Sequence, residues 1–220
     1  MSSRLALVKQ FVESKDKDLL ALILSDSSEY VCNLLWFECL RDVDALEILL
    51  KQDFNDVTLN NYELLQYAIN YPSALKLLLE DRRIDPAVCE SRCLIDAAEW
   101  NQMSVKLLLQ DGRADPGEHD SECLRVAAEW SDESVKLLLE DGRADPTACE
   151  SECLRIAAKH DSDCLRLILE DQRADPGAKN SLCIGISAEH NPESFILLLQ
   201  DGRAVEAIQH REMLNRQAVE

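Results

Sequence analysis

The chain has 220 residues, long enough for a sizeable core, and 46% of them are apolar, which excludes a disordered polymer. Its net charge of −19, from 23 basic and 42 acidic side chains, argues against a nucleic-acid or anionic-membrane partner and favours a neutral or basic protein. No apolar run approaches the roughly 20 residues that span a bilayer. The start "MSSRLALVKQFVESKDKD" is broken by Lys9, Glu13, Lys15 and Asp16, so no export segment is expected. Nine cysteines, an odd number, then read as free thiols in a reducing compartment, the cytoplasm, or the host cytoplasm for a viral chain.

In chain order, "DLLALILSD" (18–26) closes a terminal half-cap over 3–26, and "ALEILLKQDF" (45–54) closes a worn unit over 27–54. Five clearer units follow at 55–83, 84–113, 114–143, 144–173 and 174–203, the first with one residue deleted. The polar stretch 204–220 reads as the closing cap that a stack of repeats needs. The whole chain is expected to be one elongated domain without a linker.

The repeat is explicit. "LLLEDRRIDP" at 77 recurs as "LLLQDGRADP" at 107, "LLLEDGRADP" at 137, "LILEDQRADP" at 167 and "LLLQDGRAVE" at 197. Cys93, Cys123, Cys153 and Cys183 are thirty apart, as are Ser91, Ser121, Ser151 and Ser181. Self-similarity at such a period marks a repeat architecture.

Each unit reads as two helices and a turn. Cys123, Leu124, Ala127 and Ala128 form one apolar stripe at helical spacing, and the two alanines admit a close neighbour. Ser131 breaks the pattern and can cap the next helix, whose Val135, Leu137, Leu138 and Leu139 form a wide apolar face. Gly142 suits a left-handed C-terminal cap, and Pro146 cannot continue the helix. "NPES" (191–194) and "YPSA" (71–74) place Pro at the first position of the second helix. The fold class is therefore all-α.

"LRVAAEWSDESVKLLLEDGRADP" (124–146) resembles an ankyrin repeat: a Leu before paired alanines, a polar turn, a Leu-rich second helix, then glycine and "AD". The resemblance covers 55–206 well and 3–54 weakly. It is closest in flavour to the divergent arrays of amoebae, fungi and large DNA viruses. The unit here has thirty residues against about 33 in the family. "SECL" or "SRCL" stands where "TPLH" is expected, and Asn101, Ser131, Asp161 and Asn191 replace the turn glycine. The resemblance implies an ankyrin-like solenoid of helical hairpins with short hairpin turns, binding a protein along its concave face.

On that implication the candidate contact residues are Trp100, Trp130, His160 and His190, one column just after the first helix, with Glu99, Glu129, Lys159 and Glu189 beside them. Tryptophan offers a large rigid surface with one polar handle, which suits interfaces. The bland alternative is that each ring packs on its neighbour. His119 is added from the hairpin column Cys89, His119, Cys149, Lys179. That column does not read as a metal site. Stacked units lie about 8–10 Å apart while zinc ligands sit about 2 Å from the ion, although Cys149 and Cys153 could share a face. The Cys93 column reads as core. The Arg83, Arg113, Arg143, Arg173 and Arg203 column reads as a structural ladder with the neighbouring aspartates.

No nucleophile, base and oxyanion constellation can be drawn from "HDSDC" (160–164), and no glycine loop that would hold phosphate is present. The expectation is a monomeric, non-enzymatic interaction scaffold without cofactor or metal. The alternatives are a self-associating module, or an adaptor to a larger complex such as a ubiquitin ligase.

Overall fold

A computed structural model describes residues 2–25, 29–52 and 61–217, and among them the chain is all-α with no strand. The helices are α1 (Ser2–Ser14), α2 (Lys17–Ser25), α3 (Glu29–Cys39), α4 (Val43–Leu50), α5 (Asn61–Ala68), α6 (Pro72–Glu80), α7 (Val88–Trp100), α8 (Gln102–Asp111), α9 (Glu118–Trp130), α10 (Asp132–Asp141), α11 (Ala148–His160), α12 (Ser162–Asp171), α13 (Ala178–His190), α14 (Pro192–Asp201) and α15 (Arg203–Gln217). The parts of the N-terminal units at 26–28 and 53–60, and the cap residues 218–220, lie outside the described residues.

Packing follows chain order. α7 lies against α9, α9 against α11 and α11 against α13, while α8, α10, α12 and α14 pack in the same succession beside them. Ala97, Ala98, Ala127, Ala128, Ala157 and Ala158 are fully buried in the first set, where only a methyl group separates neighbouring backbones. The second set buries Val105, Leu108, Val135, Leu138, Leu165 and Ile168. At α15 the succession ends: it packs on α13 and α14.

Local rules set the helix boundaries. Between the two helices of a unit stands one extended residue, Asn101 at φ −155°, Ser131 at φ −156°, Asp161 at φ −145° or Asn191 at φ −145°. Its side chain accepts from free N–H groups of the following turn: Ser131 from Ser134, Asn101 from Met103 and Ser104. The second helix ends in a left-handed residue, Gly112, Gly142, Gln172 or Gly202.

The hairpin between units is short, and it carries a conformation absent from the sequence reading. Cys89, Glu90 and Ser91 all lie near φ 54°, and His119–Asp120–Ser121, Cys149–Glu150–Ser151 and Lys179–Asn180–Ser181 repeat the same left-handed turn. Each non-glycine residue held there costs about 1–2 kcal/mol. The serine recovers part of that cost. Ser91 Oγ accepts from the Asp115 N–H at 2.8 Å, Ser121 from Asp145 and Ser151 from Asp175 at the same distance, all in the next unit. Arg125 and Arg155 donate to turn carbonyls at His119 (3.0 Å) and Glu150 (2.7 Å).

The arginine column does more than pair with aspartate. Arg143 holds Asp141 through Nε and Nη2, at 2.8 and 3.0 Å, and its Nη1 and Nη2 reach back to the carbonyls of Ala114 (3.1 Å), at the start of its own unit, and Leu109 (3.4 Å), in the preceding one. Arg113, Arg173 and Arg203 repeat the pattern on Ile84 and Leu79, Ala144 and Leu139, and Ala174 and Leu169. The leucine carbonyls lie in the last turn of the preceding second helix, where no helical N–H remains to meet them, and the others lie in the connection that follows it.

The cysteine column is core. Cys93, Cys123, Cys153 and Cys183 are buried, and each thiol reaches the carbonyl of the proline seven residues before it, from 3.0 Å at Pro86 to 3.4 Å at Pro146. Burial first of all pushes the Cys93, Cys123 and Cys153 thiols up to about 12.

Candidate functional site

Trp100, Trp130, His160 and His190 are the final residues of α7, α9, α11 and α13, one position earlier than the sequence reading set them. The one-residue turn accounts for this: the N–H of the extended residue after each still bonds the carbonyl at Ala97, Ala127, Ala157 or Ser187, so the helix runs up to the aromatic residue. The rings do not pack away. Trp100 is 71% exposed and Trp130 61%, and His160 and His190 are exposed too. His190 Nδ1 lies 3.0 Å from the Ile186 carbonyl. Trp36, in contrast, is buried.

Glu99 is half-buried, and Glu129, Lys159 and Glu189 are exposed. Farther back on the same helices the charges are matched between units: Arg92 lies 3.6 Å from Glu122, and Arg125 lies 3.0 Å from Glu152. Asp96 accepts from Tyr62 Oη (2.9 Å) and Gln66 Nε2 (3.2 Å) and faces Arg92 at 3.4 Å. No such partner lies within ion-pair distance of Glu99 or Glu129 among the described residues. A cavity of about 320 Å³ opens where α5 and α7 end, lined by Gln66, Ile69, Asn70, Asp96, Glu99 and Trp100.

His119 does not join this group. It sits in the left-handed turn that opens α9, at the opposite end of that helix from Trp130. There its Nε2 lies 2.7 Å from Glu90 of the preceding unit. The turn continues this pairing, with Cys149 Sγ 3.8 Å from Asp120 and Lys179 Nζ 3.8 Å from Glu150. Cys149 and Cys153 do not share a face: the first is exposed in the turn, the second buried. Among the described residues no group of three His, Cys, Asp or Glu is placed to hold a metal ion, and no helix is long and apolar enough to cross a membrane.

The candidate site is thus the end of α7 and α9, two open indole faces with unmatched carboxylates beside them. The units at 144–173 and 174–203 replace the rings with imidazoles, and Lys159 reverses the charge. Sequence position alone identified the column. The cavity beside Trp100 was missed, because it is formed with α5 of a unit whose spacing is one residue short. No family model matches the chain, and no curated protein or solved structure matches it.

Proposed function

We propose that the chain is an ankyrin-type solenoid that binds another protein, without catalysis, along the face where α7, α9, α11 and α13 end. One observation carries this reading: two tryptophans thirty residues apart, at the same position of successive units, are both exposed. Large rings in water contribute nothing to folding and suit a partner that desolvates them. The thirty-residue recurrence of the Arg143-type and Ser121-type bonds supports the stacked architecture.

The test is affinity capture from the native lysate with the intact chain and with Trp100→Ala/Trp130→Ala, the fold checked by circular dichroism. A partner retained by the first and lost by the folded second supports the reading. The same partner retained by both moves the site elsewhere.

Self-association is the second reading, favoured by the last unit. Leu182, Ile196 and Leu199 are exposed there, and the first two replace Glu152 and Arg166 of the unit before. Light scattering across concentration decides it, since a strict monomer argues against it.

A further inference from the structure

We infer that the α7–α9 end of this face takes a basic segment of the partner, with arginines three residues apart in polyproline II conformation, one over Trp100 and one over Trp130. The inference rests on the protein-binding reading above and adds the chemistry of what binds.

The argument begins with charge. Of the acidic groups on the first helices, Asp96, Glu122 and Glu152 already face Arg92 or Arg125. Glu99 and Glu129 do not, and each immediately precedes an open indole. A cation above the ring is attracted by the face of the π system and by the neighbouring carboxylate together. Guanidinium fits better than ammonium: it is planar, stacks on the ring, is more weakly hydrated and offers several donors. The cavity beside Trp100 supplies acceptors for those donors from Glu99 and the amide oxygens of Gln66 and Asn70.

Spacing follows from packing. α7 and α9 are neighbours joined through buried alanines, so equivalent residues at their ends lie about 8–10 Å apart. A polyproline II chain returns to the same face every three residues, with a rise of about 9 Å. A β-strand places side chains three residues apart on opposite faces. The two rings therefore select Arg-x-x-Arg over adjacent arginines. In the next unit Lys159 and His160 stand in place of Glu and Trp, so the basic pair belongs to the units at 84–113 and 114–143 and not to the one at 144–173.

The test uses the full chain and short peptides with an Arg-Pro-Pro-Arg centre, followed by tryptophan fluorescence. Because Trp36 is buried, the change reports Trp100 and Trp130. The expected result is saturable binding that weakens with salt and falls about three- to tenfold for each ring removed. Glu99→Gln/Glu129→Gln weakens it as well, with unchanged circular dichroism. A peptide with Glu in place of Arg should not bind, and one with adjacent arginines should bind less well. Absence of binding by Arg-Pro-Pro-Arg, or equal binding of the acidic or adjacent-arginine peptide, overturns the inference. So does a captured protein that needs Trp100 and Trp130 but tolerates Glu99→Lys/Glu129→Lys, although that result leaves the protein-binding reading standing. A captured protein indifferent to the tryptophans defeats that reading as well.

Discussion

Arg113 Nη1 donates to the carbonyl of Ile84 at 2.7 Å, from one end of the unit 84–113 to the other. Its Nη2 reaches Leu79 at the same distance, and its Nε holds Asp111 at 2.8 Å. One side chain therefore satisfies a carbonyl of the preceding unit and one of its own while its aspartate fixes the geometry. Lysine cannot reproduce the fork. Arg113→Lys should cost about 2 kcal/mol in chemical denaturation, the scale of lost charged hydrogen bonds. Arg166→Lys, in an exposed pair with Asp163, should cost less than about 0.5 kcal/mol.

The same column gives a pH dependence. The Arg83 guanidinium beside Asp81 holds that carboxyl below its ordinary 3.8, first through their hydrogen bond. A folded-state value below the unfolded one means that the carboxylate's contribution is complete above the unfolded value. It is lost as pH falls through the lower, folded value. Stability should therefore decline in the acid range below about pH 4, and Asp81→Asn should flatten part of that decline. Denaturation midpoints across pH for the two chains check this.

Ser121→Ala should destabilise by about 1–2 kcal/mol, because the Asp145 N–H loses the acceptor that met it at 2.8 Å. The alanine would also still occupy a left-handed position, at φ 57°. Thermal melting of the variant beside an exposed control, Ser73→Ala, measures the effect.

Left-handed caps predict opposite signs at one column. Gly142 lies at φ 82° with open space around a would-be Cβ, so Gly142→Ala should cost about 1 kcal/mol through backbone conformation alone. Gln172 holds φ 66° at the matching position, and Gln172→Gly should gain about as much. Urea denaturation of both variants is sufficient.

The thiols divide into two sets. Cys93, Cys123 and Cys153, pushed up to about 12, should resist alkylation in the native state at pH 8, while exposed Cys89 and Cys149 react. Raising a thiol from its ordinary 9.0 to about 12 lowers its thiolate fraction about a thousandfold, and burial also blocks access. Mass spectrometry after a timed iodoacetamide pulse reads the difference.

What the sequence made legible follows where the rules were local. Ser131 and Asn101 announced helix starts, Gly142 a helix end, and the alanine pairs a close helix contact. These depend on side-chain chemistry within a few residues. The left-handed turns were not legible. Cys89-Glu90-Ser91 contains no glycine, and its conformation is supported by a bond to Asp115, 24 residues from Ser91. Likewise Arg143 showed its aspartate two residues away but not its carbonyl partners 29 and 34 residues upstream. At the candidate site, the alignment placed Trp100 and Trp130 in one column. Their exposure depends on how α7 and α9 end, and His119 belongs to the other end of the helix.

The arginine contacts also give the array a direction in time. The last-turn carbonyls of Leu79, Leu109, Leu139 and Leu169 each meet an arginine 34 residues later in the chain, so during synthesis from the N-terminus each of these helices emerges before the residue that finishes it. Completion passes down the chain one unit behind the ribosome. Arg203 therefore has a task beyond opening α15: it releases α12, the last helix whose end meets an arginine among the described residues, from waiting.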